Sequence, residues 1–154
     1  MTAEVDQQAI RSIIEARSEA LRSKDVQALS RTATPDITVF SLAPPLVATG
    51  GLKGIQRWFA SWDGPMGYEL SDLEVVVGDS VAFAHALAHM SGRRTDGGET
   101  DLWFRLTLGL EKRKGAWRVS HEHQSTPFEM DGSFRASVHL KPKTKRPSAP
   151  AKVR

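Results

Sequence analysis

The chain of 154 residues is predicted to be an α+β domain in which three N-terminal helices pack on a strongly curved, mainly antiparallel sheet. Apolar residues recur at helical spacing through the first sixty positions. Beyond Pro65 they give way to long alternating segments rich in β-branched residues, broken by short turns. Strands in direct succession, with no helices between them, argue against a parallel βαβ sheet, and long strands joined by short turns favour strong curvature.

Ile10, Ile13, Ile14, Ala20 and Leu21 share one helical face, which Arg17 interrupts, and they define the first helix. Asp25 then stands as an N-cap before Val26, Ala28 and Leu29, and Pro35 stops this second, short helix soon after Ala33. Ile37–Phe40 reads as a strand. Gly50, Gly51 and Gly54 lead into Ile55, Trp58, Phe59 and Trp62 at helical spacing, a third helix expected to end near Asp63-Gly64-Pro65. Four further strands are expected at about 68–77, 81–91, 100–112 and 117–124, separated at Gly78-Asp79, Asp96-Gly97-Gly98 and Lys114-Gly115.

This length suits one domain with a sizeable core, and 40% apolar with 25% charged residues is ordinary for a water-soluble globule. The absence of cysteine removes disulfides, thiolate catalysis and thiolate metal sites. The polar start MTAEVDQQAIRS lacks the pattern of a signal peptide and no stretch is long and apolar enough to span a membrane, so a cytoplasmic location is the default expectation. The formal charge of +3 is unevenly placed. Lys141–Arg154 holds six basic residues and no acid, leaving 21 − 6 = 15 basic against 18 acidic residues in the body, a net of −3. The expected division is therefore a folded domain over 1–140 and a basic, Pro-rich, disordered tail over 141–154, with nucleic acid attracted only weakly through that tail.

The order helix, helix, strand, helix and four long strands resembles the cone-shaped fold of nuclear-transport-factor-2-like proteins, ketosteroid isomerase and SnoaL-like cyclases. Local strings carry the likeness further: Lys24-Asp25 after the first helix, Thr49-Gly50-Gly51 and Gly54-Ile55 opening the third, and GAWRVSHEHQSTPF at Gly115–Phe128. The last is similar to the Gly-x-Trp-Arg-Ile-x-His-x-His-x-Ser string of SnoaL-like bacterial proteins. The resemblance implies a pocket at the wide end of the cone and a homodimer paired through open sheets. It does not imply steroid isomerisation: by spacing, the tyrosine, base and second-donor positions of that reaction fall on Arg17, near Ser41 and near Thr107 or Leu108, none of which can replace the original groups.

In the last strand, strict alternation puts His121, His123 and Ser125 on the face of Trp117 and Val119, which is expected to point inward. The two imidazoles would then lie roughly 7 Å apart in the pocket. They are open to three readings: general acid–base groups, buried polar residues satisfied by neighbours, or half of a metal site completed by His85 or His89. In the preceding strand Asp101, Trp103, Arg105 and Thr107 alternate with Leu102, Phe104, Leu106 and Leu108, and alternation leaves open which set lines the pocket. The resemblance implies that Arg105 and Thr107 line it. Asp101 is then a partner for a histidine and Arg105 an anchor for an anionic group, unless both belong to a surface ion pair. Trp58, Trp62 and Tyr68 supply apolar walls, and Arg17 either faces the cavity or reaches out from its edge, the latter being expected.

The expected function is small-molecule binding, with cofactor-free acid–base chemistry by His121, His123 and Asp101, as in cyclases, isomerases or dehydratases. The alternative is a non-catalytic ligand-binding or dimerisation module. No bound metal or cofactor is expected. No phosphate loop, dinucleotide fingerprint or nucleophile elbow is present in the sequence.

Overall fold

A computed structural model describes residues 2–50 and 54–143, and the backbone of residues 152 and 153. It contains α1 (Ala3–Arg22), α2 (Val26–Arg31), β1 (Ala33–Phe40), β2 (Ala48–Thr49), α3 (Ile55–Ala60), β3 (Trp62–Val77), β4 (Val81–Arg94), β5 (Glu99–Arg113), β6 (Ala116–Ser125) and β7 (Lys152–Val153). The strands of the described residues form one sheet in the order β2-β1-β6-β5-β4-β3-β7. All pairings are antiparallel except β1 with β6 and β3 with β7.

Local chemistry sets the element boundaries. Thr2 caps α1 by accepting from the Val5 backbone N–H, and Asp25 caps α2 by accepting from Ala28. The third helix is shorter than its spacing predicts: Ser61 closes it after Ala60, and Trp62 becomes the first residue of β3. The run Asp63-Gly64-Pro65 therefore lies within the strand and not at a helix end, and the pairing of β3 with β4 shifts register between Asp63 and Met66. Gly92, at φ 148°, stands against the indole of Trp62, where an added Cβ would lie 3.0 Å from Cε3 and Cζ3. Only glycine fits both that backbone and that ring.

The long helix α1 lies against β3 and β6. Its Ile10 and Ile14 are buried with Tyr68, Val75, Phe104, Leu106, Leu108, Leu110, Trp117 and Val119 from the inner face of the sheet. A second cluster, Ala20, Leu29, Phe59, Trp62 and Met66, joins the end of α1 to α2, α3 and the start of β3. In β5 the even-numbered residues Phe104, Leu106, Leu108 and Leu110 take the inner face, so Asp101, Trp103, Arg105 and Thr107 point outward. The expectation that Arg105 and Thr107 line the interior is corrected accordingly: five consecutive large apolar side chains, Leu102 to Leu110, outweigh an alternate set containing two charges.

The start of α1 is tied to the sheet by a buried polar contact. Asp6, only 6% exposed, accepts from Trp117 Nε1 at 2.9 Å and from Lys112 Nζ at 3.0 Å. Of the tail, residues 144–151 and 154 lie outside the described residues. Residues 152 and 153 pair in parallel with Val76 and Val77 of β3, so the far end of the tail lies along the sheet edge instead of being wholly solvated.

The hydrogen bond from Trp117, followed by that from Lys112, holds the Asp6 carboxyl below its usual range. The folded state then binds this proton more weakly than the unfolded chain, whose carboxyl titrates near about 3.9. The resulting stability is complete above that value and is lost as pH falls through the folded one. Urea unfolding of Asp6→Asn is expected to show lower stability than wild type at pH 7 and a difference that narrows as pH falls below about 3.9. A constant difference across that range would exclude this role for Asp6.

Candidate functional site

The site is set by an irregularity in β6. Pairing with β5 runs Lys112 to Trp117 and Leu110 to Val119, then resumes with Gly109 opposite His121, leaving Ser120 as an extra residue. Such a bulge reverses which side chains face inward. Trp117 and Val119 are buried before it; after it Glu122 is buried, with His121 half-buried and His123 exposed. The inward facing expected of the histidines is therefore corrected, because strict alternation does not survive the bulge.

Glu122, 6% exposed, meets Arg17 of α1, 7% exposed, inside the domain. Arg17 Nε donates to Glu122 Oε1 at 3.3 Å, and Arg17 Nη1 donates to Thr32 Oγ1 at 2.9 Å. Thr32 in turn donates to the Leu29 carbonyl at 2.7 Å, and Gln124 Nε2 donates to Glu122 Oε2 at 3.0 Å. The Leu42 backbone N–H reaches Gln124 Oε1 at 3.4 Å, closing a chain of contacts from α1 through β6 to the end of β1. Arg17 does not reach out to solvent, as its place on the helix face suggested; a buried carboxylate satisfies it instead.

Tyr68 projects into the same interior from β3 and is 4% exposed. Burial pushes its phenol well above the usual range and the charge of Glu122 adds to that push, while Arg17 opposes it. The hydroxyl is thus held protonated. Phe104 lies 6.3 Å from it, centroid to centroid. Trp62 belongs to the adjoining apolar cluster, edge-on to Trp58 at 5.8 Å and covered by the Arg94 guanidinium at 4.6 Å.

The remaining predicted site residues gather on the outer face of the sheet. Asp101 pairs with His89 at 2.6 Å, and this hydrogen bond holds its carboxyl below the usual range. His89 also stacks on Trp103, with centroids 4.6 Å apart and planes 8° from parallel. Arg105 Nε donates to Ser125 Oγ at 3.1 Å. His121 Nδ1 lies 2.8 Å from the Thr38 carbonyl, and Phe40 packs edge-on to both His121 and His123 at 4.9 and 5.3 Å. Neither histidine contacts Asp101 or Arg105, since β5 presents both beyond Thr107 and Gly109, the residues that pair with His123 and His121. Among the described residues no three histidine or carboxylate groups are arranged to hold a metal ion.

The structure thus brings together Arg17 and Tyr68 from the predicted set, adds Glu122, Gln124 and Thr32, and separates them from His121, His123, Asp101, Trp103, Arg105 and Ser125. Two signals pointed to the missing acid: an arginine on an apolar helix face, which requires a partner, and Gly109 within an otherwise bulky strand, which marks a bulge.

This arrangement of helices on a curled sheet is the nuclear-transport-factor-2-like cone. Within that class the chain belongs to the SnoaL-like domain family, whose family model matches residues 10–129. An NTF2-like protein of unknown function from Pseudomonas putida KT2440 superposes with a TM-score of 0.80 at 29% identity, covering 92% of this chain and 100% of that one. An NTF2-like superfamily protein from Salmonella enterica serovar Typhimurium gives 0.73 at 16% identity over 86% of this chain and 98% of that one. The association domain of Caenorhabditis elegans CaMKII gives 0.63 at 18% identity over 80% and 97%. No curated protein matches the chain. The last two likenesses carry the fold alone.

Removing one member of a buried ion pair strands the other without compensation, whereas replacing both by apolar groups removes the desolvation cost as well. Glu122→Leu is expected to lose about 3 kcal/mol, or roughly 6–12 °C in Tm for a domain of this size. Combining it with Arg17→Met is expected to return Tm to the wild-type value or above. Thermal denaturation in which the double variant is no more stable than the single one would show that the pair is structural.

Proposed function

We propose that the chain binds a small, largely apolar organic molecule inside the cone and moves a proton on it without a cofactor, Glu122 being the proton-accepting group. The observation that carries this reading is the buried Arg17–Glu122 pair, with side chains each 8% exposed. Apolar residues of similar volume would serve stability as well or better, so a charged pair at this position points to use. Arg17, Thr32 and Gln124 orient the carboxylate, and the apolar walls around Tyr68 and Phe104 keep water away from it.

The test is a thermal-shift screen of small aromatic and alicyclic compounds against wild type and Glu122→Gln. Compounds that raise the Tm of wild type by 2 °C or more are expected to lose that effect on the variant. Equal shifts on both proteins would overturn the reading.

A second reading concerns the outer face of the sheet, which α1 leaves uncovered. Phe83 and Phe40 are 41% and 37% exposed there, beside Leu87, Trp103, His121 and His123. An outer sheet face that carries these aromatic and apolar side chains among Asp101, Arg105 and Thr107 suits pairing with a second copy about a two-fold axis. Light scattering is expected to give a mass near twice 16.9 kDa, reduced to the single-chain value by Trp103→Glu. A single-chain mass for wild type at micromolar concentration would exclude the homodimer.

A further inference from the structure

The chain beyond β6 forms a hairpin that keeps its apolar side chains outside. Phe128 bridges to Ala136 in the antiparallel sense, the Glu129 N–H donates to the Arg135 carbonyl at 2.7 Å, and the Ser137 N–H donates to the Pro127 carbonyl at 2.7 Å. In the turn Asp131 accepts from the Ser133 N–H at 2.9 Å, and Glu129 lies 3.4 Å from His139. Both carboxylates are thus met within the hairpin, whereas Met130 is 95% exposed, Phe134 76% and Phe128 59%, with Val138 and Leu140 exposed as well. Phe128 and Phe134 stand edge-on, their centroids 6.3 Å apart, and so belong to one surface. A two-stranded hairpin is marginal in water by itself, and one with its apolar side chains turned outward gains from being covered.

The register of the sheet says where that surface lies and what stands opposite. Ser125, the last residue of β6, pairs with Arg105, so the chain leaves β6 toward the Trp103–Asp101 end of β5. Lys141, just past the hairpin, returns to the same end: after the His89 hydrogen bond, its charge is a further cause of the lowered Asp101 carboxyl. A second exposed apolar group lies at the opposite end of the outer face. Phe83 pairs with Gly109 and Val81 with Glu111, eight and ten residues along β5 from Asp101, roughly 26 and 33 Å. Phe40 packs on His121, which also pairs with Gly109. Arg105, Thr107 and His85 occupy the stretch between the two ends.

A face with an apolar group at each end is self-complementary. A two-fold axis lying in the interface and crossing β5 near Arg105 and Thr107 reverses the strand direction of the second copy, and each end then meets the opposite one. The area agrees. Taking about 200 Å² for a whole phenylalanine side chain, Phe40, Phe83, Phe128 and Phe134 together expose roughly 400 Å². Val81, Met130, Val138 and Leu140 add about as much, which reaches the roughly 800 Å² that each partner buries in a standard interface. Resting on the reading of the outer face as a pairing surface, we infer that residues 127–140 form an arm that packs over Phe40, Phe83 and Val81 of the partner subunit.

The chain has no cysteine, so a nitroxide can be attached at one chosen position. Met130→Cys carrying the nitroxide is mixed with nitrogen-15-labelled wild type, so that only contacts between copies broaden the amide signals observed. Broadening is expected at Phe40, Val81 and Phe83; broadening confined to the Asp101 end would show that like ends meet and would overturn the inference. Phe134→Asp is expected to raise the dimer dissociation constant at least tenfold in analytical ultracentrifugation, with an unchanged far-ultraviolet circular dichroism spectrum. An unchanged constant removes the arm and leaves the pairing of outer faces standing, whereas a single-chain mass for wild type removes both. Wild type that stays single-chain and binds anionic lipid vesicles through Phe134 would assign the hairpin to a lipid surface, which also overturns the inference.

Discussion

An arginine placed on the apolar face of a long helix cannot enter a protein interior alone, and much of this domain follows from how that charge is met. Arg17 sits one turn beyond Ile14, which is buried against the sheet. For α1 to lie flat on that sheet the guanidinium must be covered, and among the described residues the acid it pairs with is Glu122. Glu122 can face it only because Ser120 is squeezed out of the β5–β6 ladder. Without that bulge the strand would present His121 to Arg17, two groups that cannot neutralise each other. Helix placement, strand irregularity and site chemistry are thus one constraint seen at three places.

The same helix is tied at its other end by Asp6 to Lys112 and Trp117. Eleven residues separate Asp6 from Arg17, roughly 16 Å along a helix. Between these two polar contacts Ile10 and Ile14 press on Val75, Leu108, Leu110 and Val119. The polar contacts fix position and rotation, while the apolar stretch supplies most of the favourable burial. At the Asp6 end the Trp117 indole and the Lys112 ammonium both donate to the carboxylate. At the Arg17 end the guanidinium and the Gln124 amide both donate to Glu122 inside the domain. One helix therefore carries two buried polar contacts, one toward each end.

How far these features could be read in advance depends on whether a local rule or a distant partner decided them. The first two helices and the succession of strands along the chain followed from periodicity, whereas the inner face of β5 did not, because both of its alternating sets carry bulky groups and only packing against α1 decides between them. The third helix was overextended because Trp62 falls at helical spacing from Trp58, yet its ring is buried against Gly92 of β4, a contact that periodicity cannot register. The site was misplaced for a related reason. Trp117 and Val119 are correctly inward, and extending their alternation by two residues reached His121 and His123 on the wrong side of a one-residue insertion. Bulges depend on how two strands pair, so β6 alone could not announce one; Gly109, opposite the bulge, and Arg17, unpaired on its helix, were the available hints.

The bulge also divides the labour of the two sheet faces. It turns His121 and His123 out beside Phe40, onto the surface that carries Phe83, Leu87, His89 and Trp103, and it turns Glu122 and Gln124 in. The interior therefore holds a paired carboxylate and guanidinium, and the outer face holds imidazoles among aromatic rings. The two faces nevertheless share β5 and β6, whose side chains alternate between them, so any shift in the β5–β6 register moves Glu122 and the histidines together. Coupling between the interior and the outer surface, where it exists, must pass through that register, and Gly109 is the residue at which it is set: a Cβ there would stand 3.3 Å from that of His121, crowding the point where the ladder resumes.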